Sequence, residues 1–209
     1  MNASAPSALA SEDPMAESLD PPAPLGLFAL GVTLSIVILQ TRGWLALETW
    51  LLVILVIYGS IALVLIGWSE WRQQKFFGAQ AYVCGGLFCL SQVALVIFPR
   101  TGFGDLPSPQ SMAAYLGLWA LFASVLCVGA RPFALAIQGV FLLLTLHLTL
   151  HSFALGLTQP LLGLAADGFG LAAAVSAIYC SLAICLNASR NRTILPLGPT
   201  IAGNPPENQ

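Results

Sequence analysis

Charged side chains are scarce in this chain: Lys, Arg, Asp and Glu together make up 8% of its residues. A soluble domain carries about a quarter charged residues, so an ordinary water-soluble fold is excluded. Apolar residues instead make up 57% of the chain, and the mean hydropathy is +0.85. So much apolar surface cannot all be buried in one small core, and lipid must cover much of it. The composition therefore predicts a single integral membrane domain.

Other patterns are also missing, and each absence excludes a class of function. A net charge of −2 leaves no basic surface for nucleic acid. The 5 cysteines form no CxxC pair, which favours free, packed thiols over disulfides or metal ligands. The sequence has no Ser-His-Asp, paired-carboxylate or phosphate-loop pattern that would support enzyme chemistry. We therefore expect neither an enzyme nor a bound cofactor.

The two ends of the chain are polar. Residues 1–24 are acidic, contain no Lys or Arg and have no continuous apolar run, so they do not form a secretory signal. Ala, Ser and Pro dominate there, which is typical of a disordered tail. We predict a disordered acidic tail over residues 1–24, a membrane domain over 25–186 and a C-terminal tail over 187–209.

Several apolar runs are long enough to cross a bilayer, which takes about 20 residues in a helix. They predict an all-α membrane protein of six transmembrane helices, over residues 25–40, 44–68, 79–98, 113–128, 133–155 and 168–186. In the last of these, small residues recur at four-residue spacing and predict close helix packing: Gly168, Ala172, Ser176 and Cys180.

The distribution of basic residues predicts the orientation. An even number of crossings places both tails on one side, together with the loops after the second and fourth helices. That side holds five of the seven basic residues, and only Arg42 and Arg100 lie on the other. Basic residues favour the cytoplasmic side, so we expect both termini in the cytoplasm and the chain in the cytoplasmic (inner) cell membrane.

Short motifs recur along residues 21–198. They are Pro22-Ala23-Pro24-Leu25-Gly26-Leu27, Tyr58-Gly59, Glu70 with Phe77-Gly78, Tyr115-Leu116-Gly117-Leu118-Trp119, Ser176-Ala177-Ile178-Tyr179 and Arg192-Thr193-Ile194-Leu195-Pro196. In type, order and near spacing these motifs resemble those of the microbial acetate/succinate permease family, the acetate uptake transporters of the GPR1/FUN34/YaaH type.

The resemblance implies a six-helix protomer, assembled as a homohexamer with a narrow pathway through each subunit. It implies a permease or channel for acetate and related short-chain monocarboxylates, or succinate, commonly linked to protons. A membrane sensor or assembly protein that kept the fold and lost transport is the alternative.

The family constricts its pathway with an aromatic residue in helix one, another in helix three and a leucine in helix five. Carried over by position, these gate residues are Leu30, Gly85 and Leu144, so only the leucine is retained. Glycine removes a large side chain. The resemblance therefore predicts a wider gate that passes larger acids, unless Tyr82 or Phe88 fills the space. Close helix packing at Gly85 is the other interpretation.

The remaining candidates concern how the chain meets an anion. Each Lys and Arg lies at a predicted helix end, so no buried cation is expected. The start of helix one, with Pro22, Pro24 and Gly26, could instead offer free N–H groups as a vestibule, or be an ordinary helix start. Glu48 is expected inside helix two, where a carboxylate either serves the pathway or reaches headgroups.

His147 and His151 lie three and seven residues after Leu144, so they share a helix face with it. An imidazole, with an unperturbed pKa of about 6.5, could hold a carboxylate when protonated and release it when neutral. Packing histidines are the simpler alternative. The spacing also fits two metal ligands, but no third ligand lies near in sequence, and no metal is predicted.

Overall fold

The computed structural model describes residues 21–102 and 104–199. The predicted acidic tail up to residue 20 and the end of the C-terminal tail from residue 200 lie outside the described residues. The described chain forms α1 (Pro24–Thr41), α2 (Thr49–Arg72), α3 (Phe76–Arg100), α4 (Pro109–Gly129), α5 (Leu135–Gly156) and α6 (Pro160–Arg190).

Each of these helices is long and apolar enough to cross a membrane, with lengths from 18 to 31 residues. A helix rises about 1.5 Å per residue and the hydrocarbon core is about 30 Å thick, so such lengths suffice. Within the described ranges there is no strand. The prediction of an all-α membrane protein with six transmembrane helices is confirmed.

Two helix starts, those of α2 and α6, differ by five or more residues from the sequence-based bounds. The predicted second helix began at Trp44, whereas α2 begins at Thr49. The Gln40 side chain holds the intervening loop, because its amide donates to the Leu47 carbonyl at 2.9 Å and accepts from the Leu47 N–H at 2.8 Å. Glu48 is therefore the exposed residue before α2, and its predicted position inside the helix is wrong.

The last helix is longer than predicted at both ends. α6 begins at Pro160, a residue that favours the first helical turn, rather than at Gly168. As a result Asp167 lies inside a membrane-spanning helix. At the other end α6 continues to Arg190, and the following residues fold back onto α5: the Leu197 carbonyl accepts from the Ala136 N–H at 3.0 Å.

Neighbouring helices pack in the order α3, α2, α1, α6, α5, α4, while α3 and α4 contact each other only sparsely. The helices thus form a ring that is nearly closed. The largest buried cluster lies at one end of the ring, where α1, α3 and α5 begin and α2 and α6 end. It includes the fully buried Leu27, Leu63 and Tyr82.

The packed face of α6 is not the predicted stripe. Gly168 and Ala172 are exposed and Ser176 is half-buried, so of the predicted residues only Cys180 is buried. The buried small residues instead belong to the neighbouring face: Gly163, Ala166, Gly170, Ala173, Ala174 and Ala177. That face lies between α1 and α5. The four-residue period was a real helix pattern, but it did not show which of two adjacent faces packs.

Candidate functional site

A cavity of about 460 Å³ lies inside the ring and is lined by residues from all of the described helices. We call it the central cavity. Its wall is mostly apolar. The polar side chains along it are Thr33, Thr41, Arg42, Thr49, Gln92, His147, His151 and Asp167. An internal cavity with a few polar groups is the usual form of a small-molecule site.

The three positions predicted for the gate all line the central cavity. Leu30, Gly85 and Leu144 lie near the middle of α1, α3 and α5, so they meet at mid-depth of the bundle. A Cβ atom at Gly85 would meet no neighbour within 4 Å, which means that the space beside this glycine is open. Phe88 also lines the cavity, whereas Tyr82 does not.

Charged groups meet at one end of the central cavity, where α1 and α5 end and α2 and α6 begin. Arg42 follows α1, and its Nε–H donates to Asp167 Oδ2 on α6. His151 Nε2 lies 2.7 Å from the other carboxylate oxygen, Oδ1. An ionised carboxylate only accepts, so His151 Nε2 carries the hydrogen. We call these three residues the charged triad.

The exposure of the triad is uneven. The Asp167 side chain is 7% exposed, whereas those of Arg42 and His151 are 29% and 28% exposed. Arg42 and His151 also line a second cavity, of about 310 Å³, at the connection between α5 and α6. Asp167 does not line it. Arg42 and His151 therefore stand between the two cavities, with Asp167 on the inner side.

His147 faces the central cavity one helical turn from His151, and the two rings are 5.0 Å apart in an edge-to-face arrangement. Its Nδ1 lies 2.8 Å from the Ala166 carbonyl oxygen, which can only accept, so Nδ1 carries a hydrogen. His147 is thus anchored to α6. The structure places both histidines on one cavity with Leu144, as their spacing predicts.

In the structure a third possible metal ligand, Asp167, lies near the two histidines, although the sequence spacing did not indicate one. One possible ligand atom from each of His147, His151 and Asp167 lies within 4.8 Å of the others. Both Asp167 oxygens, however, are already bonded, to Arg42 and to His151. A guanidinium beside the carboxylate repels a metal cation. The arrangement therefore fits an ion-pair network better than a metal site.

Sequence reasoning missed two members of this network. Arg42 lies at a helix end, as predicted, and is only half-buried, but its side chain reaches across to α6 and lines the central cavity. Asp167 was left out because the sixth helix was predicted to begin one residue after it. A carboxylate inside a membrane helix is a candidate by default, and the correct helix start would have identified it.

The residues predicted to form a vestibule at the start of α1 lie away from the central cavity. Pro22 and Gly26 are buried and Pro24 is half-buried, and none of them lines the central cavity. The Tyr82 ring packs against Gly26, and its hydroxyl donates to the Ala23 carbonyl at 2.7 Å. Glu48 is exposed and does not line the cavity, although the next residue does. The described structure therefore separates these residues from the cavity.

Helices that span a bilayer around an internal cavity define a multi-pass membrane protein. The sequence model of the GPR1/FUN34/yaaH family matches residues 6–199, and the chain belongs to this family. The resemblance drawn from the motifs is thereby confirmed. A multi-pass location in the cell membrane agrees with both findings.

Individual relatives cover nearly the same length. The succinate-acetate/proton symporter SatP of Escherichia coli K12 is 34% identical over 85% of this chain and 94% of its own. An uncharacterized protein of Methanothermobacter thermautotrophicus is 31% identical over 84% of this chain and 89% of its own. A solved structure, that of the bacterial acetate channel SatP, aligns with a TM-score of 0.80 at 33% identity, covering 86% of this chain and 99% of that one.

Proposed function

We propose that this protein is a permease or channel that moves acetate and related short-chain carboxylates across the cell membrane, linked to protons. The observation that carries the proposal is the central cavity, on which all three positions expected to form the gate converge. A symporter for succinate, acetate and protons is 34% identical to this chain, and an acetate channel shares its fold at 33% identity. Both relatives are transporters, and we infer that this chain is not an enzyme.

The chemistry of the cavity supports this proposal. A pathway for a small anion must replace part of its hydration without trapping it. Apolar walls suit the alkyl part of a short acid, and the few polar groups along the cavity suit its carboxylate. The open space beside Gly85 extends the gate region, so acids larger than acetate should pass.

The experiment is uptake of labelled acetate by proteoliposomes, with competition by a panel of longer and dicarboxylic acids. We expect uptake by the wild type and competition by acids larger than acetate. Gly85→Tyr should fold normally and restrict competition to the smallest acids, because the added ring enters open space in the gate.

The matched control is Gly139→Tyr, since Gly139 also has open space beside it but does not line the cavity. It should keep the wild-type competition profile. An unchanged profile in Gly85→Tyr would mean that residue 85 does not face the pathway. A folded wild-type protein without uptake would overturn the proposed function in favour of a non-transporting membrane protein.

We also propose a homo-oligomer, a hexamer by family resemblance. The exposed small residues Gly168 and Ala172 beside Ser176 support this, because they allow another helix to approach closely. Ser176→Leu should then weaken assembly, as measured by light scattering of the purified protein. A variant that elutes with wild-type mass would remove this face from the interface.

A further inference from the structure

We propose that Arg42 binds the carboxylate group of the transported acid, and that Asp167 releases Arg42 for this role only when it takes up a proton. The inference rests on the proposed function and names the site at which proton and carboxylate are coupled. Arg42 is the one Lys or Arg residue that lines the central cavity in the described structure.

The starting point is the net charge of the triad. With Arg42 positive, Asp167 negative and His151 in its neutral form, the charges of the triad sum to zero. Titratable and charged groups from every helix along the cavity are few. They are Arg42 beside α1, Cys89 of α3, His147 and His151 of α5 and Asp167 of α6, while α2 and α4 add none among the described residues.

A second carboxylate cannot simply join this pair. The substrate and Asp167 present the same group, so they compete for one guanidinium, which binds carboxylates through paired N–H donors. While Asp167 is ionised, an added substrate anion would leave a net charge of −1 beside a largely apolar wall. An uncompensated charge in such surroundings is costly. The empty site therefore rejects the anion alone.

Protonation of Asp167 removes this barrier. His151, exposed toward the second cavity, first takes up a solvated proton (H3O⁺, which becomes water) at Nδ1 and becomes an imidazolium. Its Nε2–H bond then breaks, and an O–H bond forms on Asp167 Oδ1, which lies 2.7 Å away. His151 returns to its neutral form and Asp167 becomes a neutral acid. Arg42 is left with a charge that a substrate carboxylate can balance.

The sum of charges is zero again once the substrate has bound, since Arg42 and the substrate anion balance each other. Either ligand alone leaves a charge of +1 or −1, so each should favour the binding of the other. Coupling of this kind is reciprocal: the factor by which a proton raises the affinity for the acid equals the factor by which the acid raises the affinity for the proton.

The exposure of the triad suits these roles. Arg42 and His151 border both cavities, so substrate and proton can reach them from the second cavity. Asp167 is almost fully shielded, and from the second cavity it is reached through its two partners. The residue that must change its charge is thus shielded from the second cavity, while the residues that meet the ligands are accessible from it.

The test measures KM for labelled acetate in proteoliposomes at about pH 6 and about pH 8, on either side of the imidazole range. Uptake by protein-free liposomes is subtracted, because acetic acid crosses bilayers unaided. The wild type should show a lower KM at the lower pH. Arg42→Gln should raise KM at that pH by about tenfold or more, the usual scale for loss of a hydrogen bond to a charged group, and Arg42→Lys should recover part of it.

Asp167→Asn should have a different effect. Arg42 is then permanently free, so KM should be the same at both pH values. The double variant Arg42→Gln/Asp167→Asn leaves neither charge unpaired, so it should fold even if a single variant does not. It should combine a high KM with no pH dependence. Matched controls are Arg100→Gln and Asp105→Asn, exposed residues at the same end of the bundle, which should keep the wild-type KM and pH profile.

The outcomes distinguish a failure of this inference from a failure of the proposed transport function. Two results would overturn the coupling site alone, provided that the wild type takes up acetate. One is an unchanged KM in Arg42→Gln. The other is an unchanged pH dependence in Asp167→Asn and in the double variant. Absence of uptake by the folded wild type overturns the proposed function and this inference with it.

Discussion

The two ends of the helix ring are built in opposite ways. At the end where α1 begins, Tyr82 is 1% exposed, its ring covers Gly26, and its hydroxyl is bonded to a backbone carbonyl. At the other end, Arg42 and His151 are more than a quarter exposed and border two cavities. One end is closed by apolar packing, and at the other end the charged triad borders the cavities.

The difference between the two ends indicates which end can close the pathway and which end can select the substrate. Apolar packing forms a seal because water gains nothing by entering it, whereas a charged group in a low-dielectric wall stays charged only beside a partner. The motif that opens α1 lies at the closed end, while the charged triad lies at the other end.

The largest expected effect is at the closed end. Tyr82→Ala removes a fully buried ring, and replacing a buried aromatic residue by alanine typically lowers the free energy of unfolding by about 3–5 kcal/mol. Tyr82→Phe is the matched control, because it keeps the ring and loses only the bond to Ala23, for about 0.5–1.5 kcal/mol. Denaturant unfolding in detergent measures both. Equal stability of the two variants would contradict a packed seal.

A smaller effect compares two adjacent glycines of α3. A Cβ at Gly86 would lie 2.7 Å from the Ser60 carbonyl oxygen of α2, whereas a Cβ at Gly85 would meet open space. Gly86→Ala should lower the free energy of unfolding by about 1–3 kcal/mol through overpacking. Gly85→Ala should be neutral or slightly stabilising, because alanine favours the helix by up to about 1 kcal/mol. If Gly85→Ala were the more destabilising variant, the central cavity would not lie beside Gly85.

The last comparison should leave stability unchanged and only identify which end faces the cytoplasm. Basic residues predict that the closed end, with both termini, is cytoplasmic. In a background without native cysteines, Thr193→Cys should resist an impermeant thiol reagent added to intact cells, and Asp105→Cys in the α3–α4 loop should react. Both positions are exposed in the structure. Labelling of Thr193→Cys alone would invert the orientation.

The sequence by itself determined the six spans, because every helix in a bilayer must satisfy its own backbone hydrogen bonds over about 20 residues. Such runs are local, so each helix can be predicted from its own sequence without knowing what packs against it. The positions of Leu30, Gly85 and Leu144 came from the family resemblance, and the spacing of the histidines from Leu144 came from the helix period. The structure places all five on the central cavity.

Only the tertiary structure decided the helix starts and the charged triad. Trp44 to Leu47 are apolar enough for a helix, but bonds from Gln40 hold them in a loop. Arg42 and Asp167 are separated by 125 residues and belong to different elements, so no period along the chain connects them. Their contact exists because α1 and α6 pack side by side, and the choice of packed face depends on the shapes of both helices together.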